Sequence, residues 1–258
     1  MTSDPSVFAI RLAQDEADLL GAARLRYDVF VEELGGDGPR VDHANRYERD
    51  SWDPHFDHLI LVDTRKDPAT HDHVIGVYRV MPPERSAAAG GYYSDAEYDL
   101  TPILETGRKA LELGRTCVHR DHRSGNATYR LWNGLAAYVT EREIELLFGV
   151  ASYHGTDLTA LAEPLSYLHH HHLAPPDLRA RARGEPFQPL DLLPADEINR
   201  GRAMRATPAL IKAYLRLGGS VGEGAFVDHS FNTTDVFMIV DTAKISDARK
   251  ALYLQEKL

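Results

Sequence analysis

The most concentrated set of chemically capable side chains lies at residues 112–127. The segment reads ELGRTCVH at 112–119 and continues as RDHRSGNA at 120–127. Arg120 and Arg123 stand just before a predicted helix N-terminus, where free N–H groups and the helix dipole favour phosphate. This pattern indicates a seat for a pyrophosphate or a phosphopantetheine arm; an ordinary polar turn before a helix is the alternative.

Within this segment, Glu112 and Arg115 are the two charged groups on a predicted strand. Side chains three positions apart on a regular strand point to opposite faces. Gly114 lies between them, and a bulge at this glycine would bring the two side chains together. A glycine here also lets the backbone of a ligand approach closely.

A second concentration combines the first predicted helix with the loop after it. The helix carries Arg26 and Phe30, the loop reads ERDSWD at 48–53, and Arg79 closes a predicted strand. An amino-acid ligand needs both kinds of charge, because its ammonium binds carboxylates and its carboxylate binds a bidentate arginine. A structural salt-bridge network is the other reading of the same residues.

Two further patterns carry less chemistry. Of the four histidines from His169 to His172, only the first and last share a helix face, so a metal site is not predicted. Ser152 ends a predicted strand and faces the site in our reading. No glycine pattern of a nucleophile elbow surrounds any serine.

Composition limits the class of protein. The chain has 258 residues, 43% of them apolar, one cysteine (Cys117) and a formal charge of -10. The acidic balance argues against nucleic-acid binding. We find no apolar run of about 18 residues and no basic leader followed by an apolar stretch, so we predict a cytoplasmic protein.

One segment departs from the acidic average. Six arginines lie between residues 179 and 205 with few acids near them in sequence. Such a patch suits an acidic partner or an anionic membrane. A solvated arginine-rich face is the alternative. The six are Arg179, Arg181, Arg183, Arg200, Arg202 and Arg205.

The periodicity predicts an α/β protein with a mixed sheet and helices on both of its faces. We predict strands at 7–12, 58–63, 74–80, 111–119, 146–153 and 235–241. Helices are predicted near 20–34, 94–106, 124–142, 156–168 and 207–217, with a last one after residue 246. The stretch 36–57 has no clear period, and loops of that length are usually functional or disordered.

The ordered charged residues resemble the acyl-homoserine-lactone synthases, which are acyltransferases of acetyltransferase-like fold. That family carries Arg-x-x-x-Phe, Asp-x-x-Asp, a strand arginine and Glu-x-x-Arg, in this order. The matching residues here are Arg26 with Phe30, Asp50 with Asp53, Arg79, and Glu112 with Arg115.

The chain is more similar to the first acyltransferases of ornithine-lipid synthesis. The likeness covers nearly the whole chain and includes LRYDVFVEELG at 25–35, ELGRTCVH at 112–119, LFGVASYHGTD at 147–157 and LIKAYLRLGGSVGEGAFVDHSFN at 210–232. The general acetyltransferase signature Gln/Arg-x-x-Gly-x-Gly/Ala is only approximated by HRSGNA at 122–127.

This resemblance implies one acetyltransferase-like domain over 1–258. A core of about 1–175 holds a splayed mixed sheet, and an extension at 176–258 completes the sheet. The implied reaction moves a 3-hydroxyacyl group from the phosphopantetheine arm of acyl carrier protein to the α-amine of L-ornithine. No metal or redox cofactor is implied, and peripheral contact with the inner face of the membrane is expected of an enzyme with an amphiphilic product.

The implied site divides into three parts. Glu112 is the expected base and Arg115 its catalytic neighbour. The amino-acid site would use Arg26, Phe30, Asp50, Trp52, Asp53, Arg79 and Ser152. The acyl and phosphopantetheine site would use Cys117, Val118, Arg120, Arg123, Ser124, Gly125, Asn126, Ala127 and Trp132, with Phe148 and Tyr153 in an apolar channel.

Three alternatives stay open from the sequence. The acceptor is another amino acid such as glycine, lysine or glutamine; the chain is an acyl-homoserine-lactone synthase; or it is a non-catalytic module that binds or senses acyl groups. The arginine segment at 179–205, with Arg120 and Arg123, is the expected docking surface for acyl carrier protein.

Overall fold

The computed structural model describes residues 7–123 and 127–246. It is a mixed α/β protein whose large sheet is flanked by helices, which confirms the predicted fold class. The strands are β1 (Phe8–Leu12), β2 (Val41–Asp42), β3 (Tyr47–Glu48), β4 (Asp57–Asp63), β5 (Val74–Met81), β6 (Tyr98–Asp99), β7 (Ala110–Val118), β8 (Leu146–His154), β9 (Arg181–Ala182), β10 (Phe187–Gln188), β11 (Ser220–Asp228) and β12 (Thr233–Asp241). The helices are α1 (Glu16–Arg26), α2 (Pro83–Ala89), α3 (Thr101–Leu104), α4 (Ala127–Glu141), α5 (Leu158–His172), α6 (Arg200–Ala206) and α7 (Ala209–Arg216).

The chain divides into two compact units. The first unit contains the described parts of Met1–Gly90 and Leu113–Glu143, and the second contains Gly91–Glu112 and Ile144–Ser246. Strand β7 begins in the second unit and ends in the first. The single-domain assignment stays a prediction.

The first unit is built on an antiparallel ladder of β1, β4 and β5. Every residue of β5 and all but the first of β4 are buried. This explains the nearly continuous apolar runs HLILV and VIGVYRV, because a strand covered on both faces has no polar side. Helix α1 packs on one face through Leu25, and α4 packs on the other face, where Leu131 approaches Gly76.

Helix α1 begins at a side-chain cap and changes its winding at Arg26. Asp15 accepts a hydrogen bond from the Asp18 N–H at 2.9 Å, which satisfies one of the free N–H groups of the first turn. From Tyr27 to Glu33 the helix continues as a π-helix. Such segments are rare and frequently lie at functional sites. Gly35, with φ of 74°, follows the helix end in the left-handed conformation that favours glycine.

The second unit has a mixed sheet. Ala110–Glu112 of β7 pairs in parallel with Leu146–Phe148 of β8. Strand β12 is antiparallel to both β8 and β11. The short strands β9 and β10 lie along β11, and β6 pairs with β9.

The predicted helix at 94–106 is wrong. The Ser94 hydroxyl donates to the Glu112 carboxylate, so it does not cap a helix with Glu97 as the sequence pattern indicated. A 3₁₀ turn and β6 replace the first half of the prediction. Asp99 then accepts from the Thr101 N–H at 3.1 Å and starts the four-residue helix α3.

Three other outcomes concern backbone details. The irregularity expected at Gly114 falls on Arg115, whose φ of 48° is uncommon for a residue with a side chain. Helices α2 and α6 and strand β11 were not predicted from the sequence. The segment 36–57, for which no regular structure was predicted, contains the β2–β3 hairpin. The helix predicted after residue 246 lies outside the described residues.

Candidate active site

A buried ion network in the first unit unites five of the predicted charged residues with one that was not among the predicted site residues. Three guanidinium groups and three carboxylates alternate in it, so their formal charges balance. Helix α1, strands β3, β5 and β7 and the loop after β3 each contribute at least one member. The ion network consists of Arg26, Glu48, Asp50, Asp53, Arg79 and Arg115.

Arg26 is the centre of the ion network. Its two terminal nitrogens each donate to one oxygen of Asp53 at 2.7 Å, the bidentate geometry that is strongest for arginine and carboxylate. Its Nε lies 2.7 Å from Glu48 Oε2 and donates to the Glu48 carbonyl oxygen at 3.0 Å. The side chain is 1% exposed, and that of Glu48 is 0% exposed.

Arg79 and Arg115 hold the other side of the ion network. Arg79 Nη1 donates to Asp50 Oδ1 at 2.7 Å and to Asp53 Oδ1 at 2.9 Å. Its guanidinium also lies 4.3 Å from the centre of the Phe56 ring, within the range of a cation–π contact. Arg115 Nε donates to Glu48 Oε1 at 3.2 Å, and its Nη2 is 4.0 Å from Asp50 Oδ2.

In the ion network, burial and ion pairing shift the pKa values of Arg26 and Asp53 in opposite directions, and ion pairing has the larger effect. Burial lowers the pKa of Arg26, but the charges of Glu48 and Asp53 outweigh it and hold that pKa above its usual value. For Asp53, burial raises the pKa, whereas the Arg26 and Arg79 guanidiniums hold it far below the usual range. Both groups are therefore charged at neutral pH.

His58 lies at the edge of the ion network on β4, opposite Arg79 in the strand register. Its Nε2 is 3.1 Å from the Asp53 carbonyl oxygen and therefore carries the proton that this contact requires. Burial, followed by the charge of Arg26, lowers the His58 pKa to about 4. The ring is neutral at pH 7.

Three predicted site residues lie beside the ion network. The backbone N–H of Trp52 donates to Asp50 Oδ1 at 2.9 Å. Cys117 belongs to an apolar cluster with Leu25 and Val29, and Phe30 packs against this cluster. Burial raises the pKa of the Cys117 thiol to about 12, so the thiol is protonated at neutral pH and is not a nucleophile there.

The predicted phosphate turn is partly tied to the π-helix. Arg123 forms an ion pair with Glu33, and its Nε donates to the Val118 carbonyl oxygen at 2.8 Å. Arg120 is exposed. Ala127 is the first residue of α4. Three predicted residues of this turn, Ser124, Gly125 and Asn126, lie outside the described residues, so the phosphate site stays a prediction.

Glu112 lies among hydrogen-bond donors in the second unit. Its carboxylate accepts hydrogen bonds from the backbone N–H groups of Tyr93 at 2.8 Å and Ser94 at 2.6 Å, and from the Ser94 hydroxyl. These three donors fix its orientation. The Tyr92 ring packs edge-on against Phe148 at 4.9 Å, and its hydroxyl donates to the Ala110 carbonyl oxygen at 2.9 Å, which fastens this turn to the start of β7.

The predicted acyl channel is corrected at β8. Phe148 stacks on Phe237 at 5.6 Å, whereas the Tyr153 hydroxyl contacts Thr207 at 3.3 Å. The register with β12 is continuous, so these residues, five apart, lie on opposite faces and cannot line one channel. Ser152 is exposed on the Phe148 face, opposite Asp235. Trp132 packs edge-on against Tyr78 within the first unit.

Three of the six arginines of this segment are paired with acids that lie elsewhere in the sequence. Arg181 pairs with Glu223, Arg183 with Asp95 at 3.0 Å, and Arg202 with Glu163 at 2.8 Å. Within 127–246, Arg200 and Arg205 have no such acidic partner. The docking role of this segment stays a prediction.

Two properties of the described residues concern metal binding and membrane insertion. No group of three or more His, Cys, Asp and Glu residues there has an arrangement that suits a metal ion. No helix in residues 7–123 and 127–246 has the length and apolar character needed to cross a bilayer.

Sequence reasoning missed two residues that hold predicted ones. Glu48 is the last residue of β3 and the first of the charged segment 48–53, from which only Asp50, Trp52 and Asp53 were assigned to the site; its place in that segment was the available signal. Ser94 was read as a helix cap, and no local pattern indicates that it binds Glu112, which is 18 positions away.

Comparisons with known proteins decide the family. The acetyltransferase (GNAT) domain model matches residues 25–133. An L-ornithine N(alpha)-acyltransferase of Rhodobacter capsulatus is 55% identical over 98% of this chain and 97% of its own length. One from Brucella abortus is 38% identical over 95% of this chain and 88% of its own length.

The chain belongs to the L-ornithine N(alpha)-acyltransferase family. It is therefore an acyltransferase, and the closer of the two predicted resemblances is confirmed. A solved CoA-dependent acyl-homoserine lactone synthase has a TM-score of 0.52 at 16% identity, covering 96% of this chain and 88% of that one. At this identity the likeness shows the fold alone, which is acetyltransferase-like as expected.

Asp53→Asn should destabilise this acyltransferase by about 3–5 kcal/mol, because it leaves Arg26 buried with only part of its compensating charge. The measurement is the free energy of urea unfolding. Asp28→Asn is the matched control, since Asp28 pairs with Arg46 at 2.8 Å but is 28% exposed and should cost less than about 1 kcal/mol. Equal costs for the two variants would contradict a cooperative ion network.

The lowered pKa of His58 predicts a pH dependence of stability. Between its folded pKa of about 4 and its ordinary 6.5, the unfolded chain binds more protons, so stability is full above 6.5 and is lost as the pH falls towards 4. When the pH falls from 7 to 4.5, the free energy of unfolding of His58→Gln should therefore decrease by roughly 2 kcal/mol less than that of the wild type. Unfolding free energies at both pH values measure this.

His154→Gln, at an exposed position, is the control for that experiment and should keep the wild-type pH dependence. If His58→Gln retains the full loss of stability, other groups carry the pH dependence and the neutral state of the folded His58 ring is not supported.

Proposed function

We propose that this protein transfers a fatty acyl group from the phosphopantetheine thioester of acyl carrier protein to the α-amine of L-ornithine. The product is an N-acyl-ornithine, a lyso-ornithine lipid. The observation that carries the proposal is the 55% identity to an L-ornithine N(alpha)-acyltransferase over 98% of the chain. The reaction needs no metal or redox cofactor.

The proposed reaction has simple atom balance. The neutral amine attacks the thioester carbonyl, a C–N bond forms and the C–S bond breaks. The amine loses a proton to a base, and the departing thiolate takes up a proton. A base and a set of donors for the oxyanion are therefore the two functions that the site must supply.

Asp50 supports amino-acid binding by the ion network. Its Oδ1 is used by Arg79, but its buried Oδ2 has no hydrogen-bond partner within the described residues, and its side chain is 8% exposed. A buried carboxylate oxygen gains most when a charged donor reaches it. We assign Asp50 Oδ2 to a substrate ammonium, and Arg115, the most exposed of the three arginines at 19%, to the substrate carboxylate.

Glu112 is the proposed base, acting directly or through a water molecule. Its three hydrogen-bond donors, all from Tyr93 and Ser94, hold the carboxylate in one orientation, so the side chain is already positioned before the reaction. Backbone N–H groups around Arg115, where the strand is irregular, are our candidates for the oxyanion donors.

The acyl donor and the location follow from charge. An acyl carrier protein with an acidic surface is attracted to exposed cations, for which Arg200 and Arg205 of the second unit are our candidates; Arg120 is an exposed cation of the first unit. We propose a cytoplasmic enzyme that contacts the inner face of the membrane when it releases its amphiphilic product.

The direct test incubates purified protein with a 3-hydroxyacyl carrier protein and one amino acid, and detects products by mass spectrometry. N-acyl-ornithine formation, at least tenfold faster than with glycine, lysine or glutamine, is the expected result. An acyl-lactone formed from S-adenosylmethionine would replace the proposal with the synthase alternative. A folded protein that acylates no amino acid would overturn it.

Asp50→Asn tests the amino-acid site. The variant keeps the shape of the side chain but removes the charge, so kcat/KM for ornithine should fall by about 30- to 1,000-fold, as expected for about 2–4 kcal/mol of lost charge pairing. Asp37→Asn, 73% exposed in the same loop, is the matched control. Equal kinetics for Asp50→Asn and Asp37→Asn would remove Asp50 from the site.

A further inference from the structure

A cleft of about 590 Å³ opens in the first unit, beside the ion network. The end of β1, the first turn of α1, the start of β4, helix α2 and the residue that follows α4 all contribute to its lining. Its lining includes Leu12, Leu19, Phe56, His58, Arg85 and Arg142. We call it the His58 cleft.

His58 gives the cleft a buried polar group that lacks a partner. The ring is 5% exposed, and its Nδ1 has no hydrogen-bond partner within the described residues. Because Nε2 donates to the Asp53 carbonyl oxygen, Nδ1 carries a lone pair, and this nitrogen is itself buried. An N–H or O–H donor is the group that would satisfy it.

The wall of the cleft is apolar and incompletely covered. Leu12, Ala13, Pro54 and Phe56 contribute to it. Leu19, on the same lining, is 45% exposed, which is unusual for a large apolar side chain. A hydrocarbon chain in the cleft removes this surface from water, with a gain that grows with the area covered.

The mouth of the cleft carries both signs of charge. Arg85 lies 2.7 Å from Asp57, and Arg142 lies 3.2 Å from Glu84, and all four residues line the cleft. The side chains of Arg85, Glu84 and Arg142 are 38–63% exposed, so they reorient at little cost. This mixed mouth suits a zwitterionic head group better than a simple anion or cation.

We propose that the His58 cleft binds a zwitterionic acyl amphiphile, in which an acyl chain is joined by an amide to an amino acid that keeps a carboxylate and a second amine. The chain lies along Leu12 and Leu19, the amide N–H donates to His58 Nδ1, and the head group lies between Arg85 and Glu84. This ligand is the product class of the proposed function, so the proposal rests on that function. The site is separate from Asp50, to which we assign the substrate ammonium.

The test measures binding of N-dodecanoyl-L-ornithine, below its micelle concentration, by isothermal titration calorimetry. Saturable binding to the wild type is expected, with L-ornithine and dodecanoic acid each at least tenfold weaker. Leu19→Glu should weaken binding of the acyl-ornithine at least tenfold. Leu34→Glu is the matched control, because Leu34 is 46% exposed and lies outside the cleft lining.

Two further variants place the ligand. Asp50→Asn should still bind the acyl-ornithine, whereas its loss of binding would move the ligand to the ion network and overturn the proposal. His58→Leu should reduce the preference for the amide ligand over dodecanoic acid. Unchanged binding by Leu19→Glu, or dodecanoic acid bound as tightly as the acyl-ornithine, would also overturn it.

Failure of this proposal and failure of the proposed function give different results. Binding is measured without turnover, so a protein that forms N-acyl-ornithine but shows no saturable binding of it keeps its function and loses the cleft. A protein that binds the probe at the Leu19 wall but acylates no amino acid keeps the cleft and loses the function.

Discussion

The bidentate ion pair between Arg26 and Asp53 is the contact on which the rest of the first unit depends. Removing a guanidinium and a carboxylate from water costs several kcal/mol for each ion, and their attraction offsets this cost only when every remaining donor and acceptor also finds a partner. Arg26 meets that demand with Asp53 and with both the side chain and the carbonyl of Glu48. The long loop between α1 and β4 is thereby fixed through its backbone as well as its side chains.

The same constraint explains why so many charges occur beside apolar strands. Arg79 lies near the end of β5, a strand in which every residue is buried, so no water is available to its guanidinium and the loop must supply Asp50 and Asp53. Phe56 covers one face of that guanidinium. A network that is already paired needs little reorganisation when a charged ligand arrives, which is the property required of an electrostatic binding site. Asp50 Oδ2 and Glu48 Oε2 are buried network oxygens that have no hydrogen-bond partner within the described residues, and of the two only Glu48 Oε2 lies within 3 Å of a guanidinium.

Family and fold answer different questions about this acyltransferase. Whole-chain identity to the L-ornithine N(alpha)-acyltransferases establishes the family. The acetyltransferase-like fold, shared at 16% identity with a lactone synthase, does not select an acceptor, because one fold supports many side-chain sites. Acceptor choice therefore depends on particular side chains and not on the fold. In the arginine segment, charges counted along the sequence overstate the positive surface, since Glu163 and Glu223 neutralise two of its members.

The sequence by itself determined the elements whose patterns are local: the apolar strands β4 and β5, helices α1, α4 and α5, and the ordered set of Arg26, Asp50, Asp53 and Arg79. It also determined the family, because the resemblance extends over nearly the whole chain. Only the tertiary structure decided which side chains form hydrogen bonds and ion pairs with each other. Arg115 and Glu48 are 67 residues apart, and Glu112 and Ser94 are 18 apart, so no local period reports either contact. Strand β11 was missed for a similar reason: Gly222 and Gly224 look like breaks, yet a Cβ there would meet the Ala180 carbonyl at 2.6 Å or the ring of Phe187. Their role is to admit neighbours that are distant in the chain, and such close approach is a property of the folded packing and not of any short segment.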